Sequence, residues 1–407
     1  MSGAPAVLRQ PAGGADGQVL MYGLGYVLQV APRKAAVLCN VRTVGSGHWD
    51  FEDGTDAIVF DSLATITRRK AVVVARNTQD VDPETGRPRV AVHYPIVGGF
   101  VPLGARRTDG SPHPHAGTGF GLSEILRFDL NDQGFFTWNQ PYTRQWRLYQ
   151  FTYDGRRFRV PQADVSAHGV PLGAAGGVWS VTGPGMSTAI PDGDGLLYAA
   201  AATDGSRSVS GVSRWERRSA EWRPVAFCGI SDGSEASLTR DMDGSLLYSV
   251  RGEGDWTTAV RVWRSPDGAK TWEQVLSAPG LRSGAPVVLN QAANGTPYVA
   301  ADQLGSIRAK LCLWPLTGDR RAVEPAIVAR DAAAGFGPPP NDTTWFVDHA
   351  TATTVRLADG HWHNLLAYRV MAYSTVGVGG ETVTPHTGCY VEELLSPGKP
   401  VPTWRFE

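Results

Sequence analysis

Gly195-Leu196-Leu197-Tyr198, Gly244-Ser245-Leu246-Leu247-Tyr248 and Gly295-Thr296-Pro297-Tyr298-Val299 are three versions of one unit, a glycine turn feeding a short apolar strand. They recur about fifty residues apart, and a fourth version, Gly360 leading to Leu365, Leu366 and Tyr368, follows after a longer interval. A second mark keeps the same period. Trp222 and Trp272 again lie about fifty residues apart, and Tyr153-Asp154-Gly155 leads to Phe158 in the same way. Two markers sharing a period of this size, with about four strands per unit, predict a β-propeller. One blade cannot bury both of its faces, so stacking around an axis must close the core. The 407 residues leave room for seven blades of four antiparallel strands, or six with long loops. The prediction is an all-β chain with a flexible lead-in over 1–17 and one propeller domain over 18–407. A pair of β-sandwiches is the competing architecture.

Composition agrees. Gly 48 and Pro 28 are dispersed along the chain, so they read as many tight turns, and Trp 13 suits short strands better than long helices. Lys+Arg 38 against Asp+Glu 39 gives no basic excess, which argues against a nucleic-acid partner and gives no long-range steering of an anionic polymer. No apolar run approaches a membrane-spanning length, and the first residues lack the basic-then-apolar pattern of a signal peptide. The compartment stays open: cytoplasmic as written, secreted or periplasmic if a signal was removed. The four cysteines, Cys39, Cys228, Cys312 and Cys389, are widely spaced and read as buried thiols in a chain expected to be a monomer. The Pro- and Ala-rich stretch 331–340 reads as a long loop between the last two blades.

Ser265-Pro266-Asp267-Gly268-Ala269-Lys270-Thr271-Trp272 resembles the Asp-box, or BNR repeat, of the sialidase superfamily. It matches at Ser265, Asp267, Thr271 and Trp272, and departs at Ala269, where the family prefers glycine. The box is a hairpin turn in which Asp and Ser hold backbone amides and Trp packs between outer strands. It speaks for the fold and little for chemistry. A sialidase would need three arginines on a carboxylate, a Tyr–Glu nucleophile pair and an Asp acid. The early Arg-Ile-Pro segment that carries the first arginine in that family is missing here.

The histidines are unevenly placed. His93 ends an apolar strand, while His113 and His115 sit in a loop of turn formers, with Pro112 and Pro114 flanking His113. The chain is similar in this to uronate-cleaving polysaccharide lyases on seven-bladed propellers, the ulvan and rhamnose–glucuronate lyases. These show BNR-type repeats and place two functional histidines about twenty residues apart in an early blade. The resemblance implies a lyase acting on an anionic oligo- or polysaccharide, with no cofactor needed for catalysis. β-Elimination beside a uronate needs a neutralised carboxylate, a base near neutral pKa and an acid for the leaving oxygen. On that chemistry His113 is the expected base, His93 the carboxylate neutraliser, and Tyr149 or Tyr248 the acid. Arg144 and Arg251 would bind carboxylate, with His115, His349 and Arg369 as further substrate-binding candidates. Asp348 beside His349 could support that imidazole at a blade mouth. An exo-sialidase or related glycoside hydrolase is the alternative enzyme, and a propeller that only binds glycan or protein is the non-enzyme alternative.

His361 and His363 alternate on a strand and so share a face. With His386 and Cys389 they make a candidate structural zinc set, or a site for another divalent ion such as calcium.

Overall fold

The computed structural model describes residues 5–8, 20–43, 54–76, 80–94, 96–130, 142–160, 164–172, 179–183, 185–251, 259–282, 286–292, 294–302, 308–340, 343–374, 381–382, 384–394 and 404–406. They form a propeller of six antiparallel sheets. Blade I is Leu20–Ala31, Lys34–Thr43, Gly54–Phe60 and Ala71–Arg76. The inner strand of blade II is split into Pro88–His93 and Val97–Val101, followed by Thr118–Asp129, Tyr142–Tyr153 and the short outer pieces Phe158–Arg159 and Asp164–Ser166. Blade III likewise has a split inner strand, Ser180–Thr182 and Ile190–Asp192, then Gly195–Thr203, Ser208–Arg218 and Glu221–Ser231. Blade IV is Ser234–Arg240, Leu246–Arg251, Ala259–Ser265 and Glu273–Arg282, and blade V is Val288–Gln291, Pro297–Asp302, Lys310–Pro315 and Ile327–Asp331. Blade VI takes Thr343–Arg356, Trp362–Ser374 and Gly388–Glu393 from the C-terminal part of the chain, and its outer strand, Ala6–Leu8, from the N-terminal part.

The propeller expectation is met with six blades, the lower of the two counts. The first repeat mark is the hairpin between the first and second strands of blades III to VI; Gly244 turns there at φ 86, a conformation that favours glycine. The second mark is the hairpin between third and fourth strands. A count of seven fails because strands of up to fourteen residues, together with the long 102–117 connection of blade II, absorb the length of a further blade. The lead-in expectation is corrected for Ala6–Leu8, which pairs with Cys389–Val391; residues 1–4 and 9–17 lie outside the described residues. The 331–340 stretch does join the last two blades, with one turn of helix, Ala332–Phe336, capped by the Asp331 carboxylate accepting from Ala334 N–H.

The core lies between blades. Phe120 of blade II stacks on Trp215 of blade III at 3.9 Å, and Trp222 of the same blade caps the pair while its indole N–H donates to Thr118. The Asp-box forms as its residues dictate. Asp267 accepts from the Lys270 and Thr271 amides and from the Ser265 and Thr271 hydroxyls, while Trp272 meets Tyr248 edge-on at 5.8 Å. Ala269, where the family prefers glycine, sits at φ 72.

Candidate active site at one end of the axis

In a four-stranded meander, the start of the first strand, the end of the second and the start of the third share one end of the blade. At that end five of the six blades contribute to an unusual density of buried charge. Asp348, near the start of the innermost strand of blade VI, is fully buried. Arg369, its register partner on the second strand, donates Nε to Oδ1 at 2.9 Å and Nη2 to Oδ2 at 3.0 Å. Arg308, at the start of the third strand region of blade V, donates to Oδ2 at 2.8 Å. His349 Nδ1 lies 3.2 Å from the Asp348 carboxylate and 3.2 Å from the Arg369 guanidinium. Burial pushes the Asp348 carboxyl up, but Arg369, His349 and Arg308 together outweigh it and hold the group well below the usual carboxylate range. His349 is at φ 51, where the pairing register slips between Asp348 and Thr351, so a bulge turns the imidazole beside its own neighbour's carboxylate.

Asp302 ends the second strand of blade V. It is 2 % exposed, and neither carboxylate oxygen has a hydrogen-bond partner. Burial first, and the negative Asp348 second, raise its carboxyl well above the usual range against Arg308, Arg251 and Arg369. In blade IV, Glu235 pairs with Arg251 at 2.6 Å. Across the axis in blade II, Glu124 pairs with Arg144 at 2.5 Å, and Arg144 lies over the Trp146 ring. Burial pushes the Glu124 carboxyl up to about 7; Arg144 opposes this and the charge of Glu235 adds to it. Glu124 and Glu235 thus lie within reach of each other's charge at this end of the axis. Tyr94, next to the backbone of Glu124, lies in the field of Arg251. In blade I the Tyr22 hydroxyl donates to Asp56, which is also held by Arg76 at 2.6 Å.

The structure thus gathers Arg251, Arg369, His349 and Arg144 at the same end of the propeller, and the expected support of His349 by Asp348 is present. It does not gather the expected acid–base set. The split strand Pro88–Val101 runs the height of blade II. His93 lies on its upper half, and His113 and His115 lie in the loop beyond its far end, so twenty residues of sequence span the molecule. His93 is 1 % exposed; burial, with Arg147 and Arg127, lowers its imidazole to about 3, so it supplies no positive charge to a substrate. His115 meets Trp222 edge-on at 5.6 Å. Tyr149 is buried in the core of blades I to III, and Tyr248 lies between Trp263 and Trp272. Neither tyrosine reaches the mouth. Sequence reasoning missed Glu124, Glu235, Asp302 and Arg308. The available signal was a carboxylate or guanidinium at an otherwise apolar strand end, as in Ser123-Glu124-Ile125-Leu126.

The proposed metal set is also corrected. His363 bonds Glu393 at 2.8 Å and Asp359 at 3.1 Å at one end of blade VI. Cys389 pairs in register with Arg369, six residues of strand away, and His386 stacks on Phe336. The four residues do not converge. Among the described residues no group of three His, Cys, Asp or Glu is arranged to hold a metal, and no helix is long and apolar enough to cross a membrane.

No protein-family model matches the chain, and no curated protein sequence matches it. Solved structures do. A protein of unknown function from Dyadobacter fermentans superposes with TM-score 0.57 at 15 % identity, covering 96 % of this chain and 98 % of that one. A Trypanosoma rangeli sialidase mutant displaying trans-sialidase activity gives TM-score 0.54 at 12 % identity, covering 95 % of this chain but only 57 % of its own length. The Hadza microbial sialidase Hz136 gives TM-score 0.54 at 13 % identity, covering 93 % of this chain and 65 % of that one. At these identities the likeness establishes a sialidase-like propeller fold.

Proposed function

We propose that the chain is a glycoside hydrolase acting at the axial mouth on a sugar that carries a carboxylate. Glu124 is the observation that carries this reading: a buried carboxyl with a value of about 7 exchanges a proton with a glycosidic oxygen at neutral pH. Glu235 is the second carboxylate, positioned to stabilise the positive charge that develops on the sugar ring. Arg251 and Arg144 supply the cationic field for the substrate carboxylate. Asp302 adds a buried carboxyl without a hydrogen-bond partner to the same cluster.

Two further points support hydrolysis. The fold is one that sialidases use, and the elimination chemistry expected from the sequence has its four acid–base residues dispersed. The inner strand Leu20–Ala31 contains no arginine, so no arm of a three-arginine clamp comes from that strand. A terminal hexuronic acid is therefore the first substrate class to test, and sialic acid the second.

The test pairs fluorogenic hexuronides and sialosides with ultraviolet absorbance on uronate polymers. Release of the acidic sugar without new absorbance, lost in Arg251→Gln, is the expected result. Rising absorbance would establish elimination instead. No product from either arm would leave a glycan-binding propeller.

A further inference from the structure

At the opposite end of the axis, on the Asp-box side, the inner strands of blades III to VI and the 102–117 loop of blade II enclose a second cavity of about 560 Å³. The loop is pinned over it by the chain's last described residues, with Arg106 and Arg405 bridging and His113 edge-on to Trp404. Cavities of this size hold a small molecule of one or two rings.

Its three carboxylates are already engaged, Asp194 by Arg107, Asp192 by Arg214 and Asp109 by Ser111, and its other polar groups are mostly donors. Gln291 is 4 % exposed, and its amide nitrogen has no hydrogen-bond partner. His113 is 5 % exposed; its Nδ1 accepts from the His115 amide, and the Gly193 carbonyl lies within hydrogen-bonding influence of the imidazole. The Arg240 guanidinium bonds only the Gly244 and Pro191 carbonyls, and no carboxylate pairs with it among the described residues. Unpaired buried donors are costly unless something accepts from them. Thr239 and Asn290 add a hydroxyl and an amide to the same wall.

We infer that this cavity is a second ligand site, separate from the axial mouth, for a small hydroxylated carboxylic acid of sugar size. The carboxylate would sit against Arg240, and ring hydroxyls would accept from Gln291 and exchange hydrogen bonds with Thr239. The inference does not depend on the reaction proposed for the mouth, since the two sites lie at opposite ends of the propeller.

The experiment is calorimetric titration of the whole chain with sodium D-glucuronate, D-glucose and sodium acetate, with Trp404 fluorescence as a local reporter. Glucuronate is expected to bind saturably, and glucose and acetate at least tenfold more weakly. In the Arg251→Gln background, which removes carboxylate binding at the opposite end, glucuronate should still bind saturably, and adding Arg240→Gln or Gln291→Leu should each weaken it at least tenfold. Two variants are used so that misfolding of one, seen as a lost thermal transition, does not decide the matter. The inference is overturned if no saturable binding appears by about 20 mM. It is equally overturned if both folded variants bind as their Arg251→Gln parent does, or if Arg251→Gln alone abolishes binding.

Discussion

Replacing Glu124 by glutamine should stabilise the protein at alkaline pH while removing its activity. A carboxyl whose value rises from 4.5 to about 7 on folding keeps its proton in the native state after the unfolded chain has lost it. The folded-state value is raised, so this group's contribution is fully present below pH 4.5 and is lost as pH rises toward 7. At about 1.4 kcal/mol per unit the loss is on the order of 3 kcal/mol, and about 2 kcal/mol once partial access of solvent is allowed for. Glutamine has the same shape and does not titrate. Urea unfolding of both proteins at pH 4.5, 6 and 8 isolates the effect, because every other titrating group cancels in the difference. The variant's advantage over wild type should grow by about 2–3 kcal/mol from pH 4.5 to pH 8 and then stay level. In the same variant, turnover of the substrate found by the panel should fall about 10²- to 10⁴-fold. A stability difference that does not change with pH would refute the buried-carboxyl argument. Full turnover would remove Glu124 from the chemistry.

Three further outcomes follow from the packing. Asp348→Ala leaves the Arg308 and Arg369 guanidinium groups buried without their carboxylate and should cost about 3–5 kcal/mol. At roughly 2 cal/mol/K per residue that is a fall in Tm of about 4–6 °C by calorimetry, and a change below about 1 °C would contradict the pairing. Gly25→Ala places a methyl carbon 2.5 Å from Cys389 Sγ between blades I and VI, so it should destabilise by about 1–3 kcal/mol, and adding Cys389→Ala should restore most of the loss. Ala269→Gly relieves a left-handed alanine in the Asp-box hairpin and should raise the urea midpoint by the equivalent of about 0.5–1 kcal/mol; an unchanged or lower midpoint would mean the turn carries no strain.

The fold was legible because its marks are local. A turn that needs a left-handed residue needs glycine nearby, as at Gly244, and the Asp-box writes its own hydrogen bonds into eight consecutive residues. The blade count was less so, since strand length is not punctuated: nothing in Thr343–Arg356 announces fourteen residues of strand. The mouth was half legible. Arg251 and Arg369 stand at the ends of apolar strands and could be picked out, but Glu124 and Asp302 matter only because other blades bring charge and low dielectric around them. The histidine pair shows the converse error. A spacing of twenty suggested proximity, and the intervening strand turned it into separation.

The pairing of Ala6–Leu8 with Cys389–Val391 also has a consequence for how the protein is made. At about 5–20 residues per second, a ribosome reaches Gly388–Glu393 on the order of 20–80 s after it has translated Ala6–Leu8. Throughout that interval the first three-residue strand has no partner, and Leu8, buried in the finished ring, has nowhere to pack. Blades I to V can stack as they emerge, but the circle stays open, with one sheet edge of a nascent chain exposed to its neighbours on the polysome. Closure is therefore a late, all-or-none event, and a chain that stalls before Gly388 would be released as an open arc.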